Sequence, residues 1–144
     1  MNLIDTNGVT RVLKNHLRLM EDYFLAPDVV DESEVAQLVH GGQIPRRVRN
    51  LVDNDTFDMV VYLDQYKRIL NAYGGRSFYN MTGFGDVSII AGIHAVTAHT
   101  GRQGRLFGNS EPITVFTDDG PLTRRINQEF PNKGITIRPT TSIS

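Results

Sequence analysis

Acidic side chains stand where elements are expected to start or stop. Asp5 follows the short apolar run Asn2-Leu3-Ile4 and precedes Thr6-Asn7-Gly8. Asp31, Glu32 and Glu34 lie in a helical pattern after Pro27, Asp86 heads the apolar stretch at 87–98, and Asp118-Asp119-Gly120 closes the run Ile113-Thr114-Val115-Phe116. Carboxylates brought together repel unless a cation lies between them, and oxygen ligands are what hard divalent cations take. A cation held this way can activate water and stabilise a leaving oxygen, the requirements of phosphodiester hydrolysis.

Each acid also has a plain structural reading. Asp86 fits an N-cap accepting from the amides at 88 or 89. Asp31 and Glu34 fit a capping box, and Asp118-Asp119-Gly120 fits a turn. Taken singly, those readings are preferred. The set is different, because four segments far apart in the chain each carry a carboxylate to one expected edge. Ile89, Ile90, Ile93 and Val96 follow Asp86 on one helical face, which puts Asp86 at the head of a core-facing stripe. Val30, Glu34 and Leu38 share a face at spacing four, which singles out Glu34.

The elements that must position these residues follow from hydrophobic period. Leu3-Ile4 reads as a buried strand and 8–22 as a helix carrying Val9, Val12, Leu13, Leu17 and Met20. Tyr23 to Ala26 is a second apolar run, followed by a helix that stops at Gly41-Gly42. Pro45 to Arg49 is expected to start a helical turn. Residues 59–63 read as extended, with a helix over 58–72 nearly as good, and Gly74-Gly75 is expected to break it. A helix at 87–98, a Gly- and Arg-rich loop at 99–110, a strand at 113–116, a helix at 121–130 with Pro at its first turn and a short strand at 134–137 complete the chain. A polar tail follows from about 139. The strands lack polar alternation, so both faces are expected to be covered. The fold class is therefore α/β: a three-layer α/β/α sandwich with a mainly parallel central sheet of four or five strands, in a single domain over 1–144. In such a sheet, ligands bind beyond the carboxyl ends of the strands, where Asp5 and Asp118 are expected.

Composition sets limits. The 144 residues carry a formal net charge of -1 and 40% hydrophobic residues, which suits one domain with a sizeable core and excludes a strongly basic coat for nucleic acid. No cysteine is present, so thiolate metal sites and cysteine nucleophiles are excluded. No run reaches the roughly 18 apolar residues of a membrane span. A cytoplasmic protein is the expectation. His16, His40, His94 and His99 lack metal-ligand spacing, and His94 reads as structural.

The ordered motifs resemble the PIN domain, the metal-dependent nuclease fold of VapC-type toxins and several RNA-processing factors. Leu3-Ile4-Asp5-Thr6-Asn7 is similar to the family's opening strand and D-T-N. Pro27, Val29-Val30 and Glu34-Val35 resemble its second strand and helical acid. Asp86-Val87-Ser88-Ile89-Ile90-Ala91 resembles its D-x-x-I-x-A, and Val115-Phe116-Thr117-Asp118-Asp119 its strand into T-D. The likeness is spread over nearly the whole chain, in the family's order. Gly8 stands where the family has an apolar residue, and the second acid is displaced, with Glu32 as the alternative to Glu34.

The resemblance implies an endoribonuclease using Mg²⁺ or Mn²⁺, with Asp5, Glu34, Asp86 and Asp118 catalytic and Asp5, Asp86 and Asp118 on the metal. Asn7 would orient Asp5 or reach a bound water, Thr117 would complete the pocket, and Asp119 would assist or replace Asp118. Arg102 and Arg105 in the Gly-rich loop, Arg46 and Arg47, and the pair Arg124 and Arg125 are the candidate RNA contacts. The implied partners are RNA, an antitoxin protein if the chain is a toxin, and a second copy in a homodimer. The alternatives are a nuclease without an antitoxin, a catalytically degenerate domain that binds RNA or protein, and an unrelated phosphoryl-binding α/β regulator.

Overall fold

The computed structural model describes residues 1–78, 84–98, 111–131 and 134–144, leaving aside the side chains of 73–78. The order is β1 (Asn2–Ile4), α1 (Thr6–Asn15), β2 (Tyr23–Leu25), α2 (Pro27–His40), β3 (Val48–Asn50), a 3-10 turn Leu51–Asp53, α3 (Met59–Phe78), α4 (Gly85–Thr97), β4 (Thr114–Phe116), α5 (Gly120–Glu129), β5 (Thr136–Arg138) and a 3-10 turn Thr140–Ser142. The fold is α/β. Its five-stranded sheet has the order β3-β2-β1-β4-β5, and every pairing is parallel. The chain steps outward from β1 through β2 to β3, then returns to the other side of β1 for β4 and β5. Right-handed crossovers in opposite directions direct helices to both faces, as a three-layer α/β/α sandwich requires.

The central strands are apolar because both faces are covered. Leu3, Ile4, Tyr23, Phe24, Leu25, Val115 and Phe116 are all buried. The edge strand β3 is different: Val48 is half-buried, and Arg49 and Asn50 are exposed. It carries no apolar run, which is why a helical turn was expected there. Its pairing is fixed by β2, with Tyr23 opposite Val48 and the Tyr23 amide donating to the Arg47 carbonyl at 2.7 Å.

Four further expectations need correction. Helix α1 starts at Thr6 and stops at Asn15, with His16 in the left-handed region at φ 47°, so Leu17 to Met20 lie outside it. The segment from Met59 is helical rather than extended, and α3 runs through Gly74-Gly75 to Phe78. Each helical glycine costs about 1 kcal/mol relative to alanine, which the buried Tyr62 and Ile69 upstream offset. Helix α2 begins at Pro27, so Asp31 and Glu34 sit in its second turn and form no capping box. The segment after 139 is no loose tail: Ile143 and Thr140 are buried.

Gly8 explains that last point. A Cβ on Gly8 would lie 3.1 Å from Ile143 Cδ1 and 3.2 Å from Ile4 Cβ. The space that a side chain on α1 would occupy is filled from the other end of the chain.

Candidate functional site

Strand order reverses between β1 and β4, and this switch point is where a parallel sheet opens a crevice at its carboxyl edge. Asp5 leaves β1 there, and Thr117-Asp118-Asp119 leaves β4. Asp5 is 6% exposed and caps α1. One carboxylate oxygen accepts the Gly8 amide at 2.8 Å, and the other accepts the Thr117 hydroxyl at 2.5 Å. The Thr117 oxygen in turn accepts the Asp119 amide at 3.0 Å. Burial pushes the Asp5 carboxyl upward, and the bonds from Thr117 and Gly8 oppose that shift. Gly8 and Thr117, rather than Asn7, orient Asp5, and Asn7 is exposed.

Asp86 lies in the first turn of α4. Its Oδ2 is buried without a hydrogen-bond partner. Burial raises its carboxyl to about 7, and the charges of Asp119, Asp5 and Glu32 add to that shift while Arg125 opposes it. Four carboxylates from β1, α2, α4 and the β4 exit thus act on one another across the crevice.

The acid from α2 is Glu32. Its Oε1 accepts the Gly85 amide at 3.1 Å, and its Oε2 accepts the Thr6 hydroxyl. Gly85 is required for this approach, since a Cβ there would lie 2.9 Å from Glu32 Oε1. The N-terminus of α4 favours the negative charge. Glu34 is corrected accordingly: it is exposed, and its supposed stripe runs into solvent, with Val35 60% and Leu38 86% exposed. Helix α2 buries Val29, Ser33 and Ala36 instead. Apolar residues on the solvent side misdirected the pattern.

Asp118 also departs from expectation. It is exposed, and its carboxylate accepts both the hydroxyl and, at 2.9 Å, the amide of Thr140. Those bonds hold its carboxyl below the usual range. Its charge still reaches Asp5, but Asp119 is the neighbour that acts on Asp86. Asp119 caps α5, accepting the Leu122 amide at 3.0 Å. Asp118-Asp119-Gly120 therefore leads straight into α5, with Asp119 as its N-cap.

Arg46 and Arg47 precede β3 at the amino edge of the sheet, opposite the acids. Arg47 lies 3.3 Å from Asp22, and Arg49, 3.5 Å from Asp22, covers the Phe24 ring. The candidate RNA contacts Arg46 and Arg47 therefore lie at the far end of the strands from the acids. Arg102, Arg105 and His99 lie outside the described residues. Arg125 on α5 is the cation whose charge reaches Asp86. His94 packs against the Phe130 ring and pairs with Glu129 at 2.8 Å, a structural role as expected. Thr6, Gly85 and Thr140 went unnoticed in the sequence. Gly85, next to an acid at a helix start, was the available signal.

Among the described residues, no three Asp, Glu or His side chains form a ready-made cation cage. The donor chemistry nevertheless fits a divalent cation. Asp86 offers a buried oxygen that nothing satisfies, and each carboxylate oxygen that takes one hydrogen bond keeps a further lone pair. Compared with protein-family models, curated proteins and solved structures, the chain matches none.

Proposed function

We propose that the chain is a divalent-cation-dependent phosphodiesterase acting on RNA. The observation that carries this reading is the buried, unpartnered Oδ2 of Asp86 among the carboxylates of Asp5, Glu32 and Asp119. A buried acid without a partner is costly, and the neighbours here raise that cost. Such an arrangement suits a site that binds a cation. Bound Mg²⁺ or Mn²⁺ supplies Lewis-acid stabilisation of the phosphoryl oxygens and a more acidic water.

The chain's own residues divide the remaining work. Asp86, Asp5, Glu32 and Asp119 would hold the cation. Thr117 and the Gly8 amide fix the Asp5 carboxylate in one orientation. Thr6 and the Gly85 amide do the same for Glu32. Arg125 places positive charge where a phosphate would approach an acidic centre that otherwise repels it. The ordered PIN-like motifs supply the choice of RNA as substrate.

The absence of a ready-made cage among the described residues favours a second reading, a degenerate domain that binds RNA or protein without cutting it. The toxin reading remains part of the proposal, since the same acids would accept an arginine from a blocking antitoxin. The exposed Val35, Leu38, Val39, Val60 and Leu63 are the surface on which a second copy would pack. No helix among the described residues is long and apolar enough to cross a membrane, and we place the activity in the cytoplasm.

Thermal unfolding with and without millimolar Mn²⁺, for the wild type and Asp86→Asn, tests the reading. Binding to the folded state alone stabilises by about 2.7 kcal/mol at a hundredfold excess over Kd. Mn²⁺ should raise the wild-type midpoint and leave the variant unmoved, and the wild type alone should cleave single-stranded RNA. No response in either protein would remove the nuclease reading and leave the binding domain.

A further inference from the structure

Three helices meet in a polar network beside the acidic crevice. Helix α2 begins Ala26-Pro27-Asp28, and Ala26 has no side chain with which to cap it. The missing cap comes from another helix: the Asp28 amide donates to Ser88 Oγ of α4 at 3.0 Å. Ser88 is fully buried, and its oxygen also lies 2.7 Å from the Tyr62 hydroxyl of α3. One turn along α3, the Tyr66 hydroxyl donates to the Asp28 carboxylate at 2.5 Å. The two tyrosine rings pack together with centroids 5.7 Å apart.

The spacing links this network to the site. Asp28 and Glu32 are four residues apart and share a face of α2. Ser88 lies two residues after Asp86 on the first turns of α4. Whatever fixes Asp28 against Ser88 therefore fixes Glu32 against Gly85 and Asp86.

We propose that Tyr62 and Tyr66 are positioning residues for the acidic site, acting through Ser88 and Asp28 to lock α2 against α4 and hold Glu32 on the Gly85 amide. The tyrosine hydroxyls bond Ser88 and Asp28 rather than the acids that would bind a cation, although the charge of Glu32 reaches Tyr66. Their action is the transmission of a fixed helix spacing through two hydroxyl groups. Burial pushes the Tyr62 phenol up to about 12, and burial together with the Asp28 bond pushes the Tyr66 phenol upward. Both hydroxyls thus remain protonated at neutral pH. The importance of this positioning for catalysis rests on the proposed function; the placement of Glu32 does not.

The test uses the full chain and its Tyr66→Phe and Ser88→Ala variants. Ile69→Val, a buried change on α3 outside the network, serves as a control for general loosening. Hydrogen exchange at the Gly85 amide reads the Glu32 contact without any metal. Exchange there should accelerate about tenfold or more in Tyr66→Phe and Ser88→Ala, and Mn²⁺ affinity should weaken about tenfold, the usual effect of losing a group that orients a ligand. Ile69→Val should leave both unchanged once global stability is corrected for. Gly85 exchange equal to wild type in both variants, or accelerated equally in Ile69→Val, overturns the inference. If the wild type binds no Mn²⁺, the nuclease reading fails, and Gly85 exchange still decides whether the network places Glu32.

Discussion

At Asp86 the conflict between burial and charge is sharpest, and it has a signature in pH. The folded chain holds the Asp86 proton to about 7, against an ordinary 3.8. Between those values the folded state binds more protons than the unfolded one, so stability present below about pH 4 is lost as pH rises through 7. The loss should be about 4 kcal/mol without metal. Asp86→Asn should flatten that slope and unfold at a higher temperature than wild type at pH 8, as read by thermal melts across pH. Asp5, also raised, contributes with the same sign. A second prediction concerns Gly85→Ala. Alanine favours a helix by up to about 1 kcal/mol, and the clash is with the movable end of Glu32. Stability should therefore stay within about 1 kcal/mol of wild type, while the Mn²⁺-induced shift in midpoint is lost. At this scale Asp5 and Asp86 were legible, because each follows a strand or heads a strongly apolar helix. Glu32 was legible only as the alternative to Glu34, because α2 also exposes apolar residues such as Val35 and Leu38 to solvent. The choice between Asp118 and Asp119 depended on Thr140, which lies 22 residues on from Asp118 and carries no local signal.

The elements record which parts of the pattern the core uses. Helix α4 could be read directly, since Val87, Ile89, Ile90, Ile93 and Val96 are all buried. Strand β3 could not, because an edge strand of Val-Arg-Asn has no hydrophobic period and owes its existence to β2. Helix α2 provides a contrast that can be measured. Leu38→Asp, at the end of the stripe suggested by the sequence, should change stability by no more than about 0.5 kcal/mol. Ile143→Ala, in a segment the sequence presents as a tail, should cost about 2–4 kcal/mol by emptying the space beside Gly8. Urea unfolding of the two variants in parallel compares them directly.

In the whole molecule, the charges of Asp5, Glu32 and Asp119 converge on Asp86 at the carboxyl edge, while Arg47 and Arg49 on the β3 side are both paired with Asp22. A mainly parallel sheet followed from apolar strands alternating with helices, and so did the edge at which to look for a site, whereas the strand order and its switch point did not. The closing segment did not, because its contacts are all distant in sequence. A chain lacking residues 139–144 should lose the Ile143 packing and the Thr140 bonds together, roughly 3–5 kcal/mol. Its Asp118 should then titrate closer to the ordinary value, as followed by side-chain NMR. With its carboxyl lowered, Asp118 contributes stability above its ordinary range that is lost as pH falls, and the shortened chain should lack that contribution.

The Thr117 hydroxyl that orients Asp5 comes from 112 residues further along the chain, and the side chain that closes the pocket over Gly8 comes later still. Synthesis proceeds from the amino end. Asp5 therefore leaves the ribosome long before either partner exists. A nascent chain can pair β1 with β2 and bond Asp5 to the Gly8 amide, but the β4 side of the crevice is missing until Thr117 is made. The crevice is thus completed only by a late step of synthesis, when β4 joins β1 and Thr117 meets Asp5.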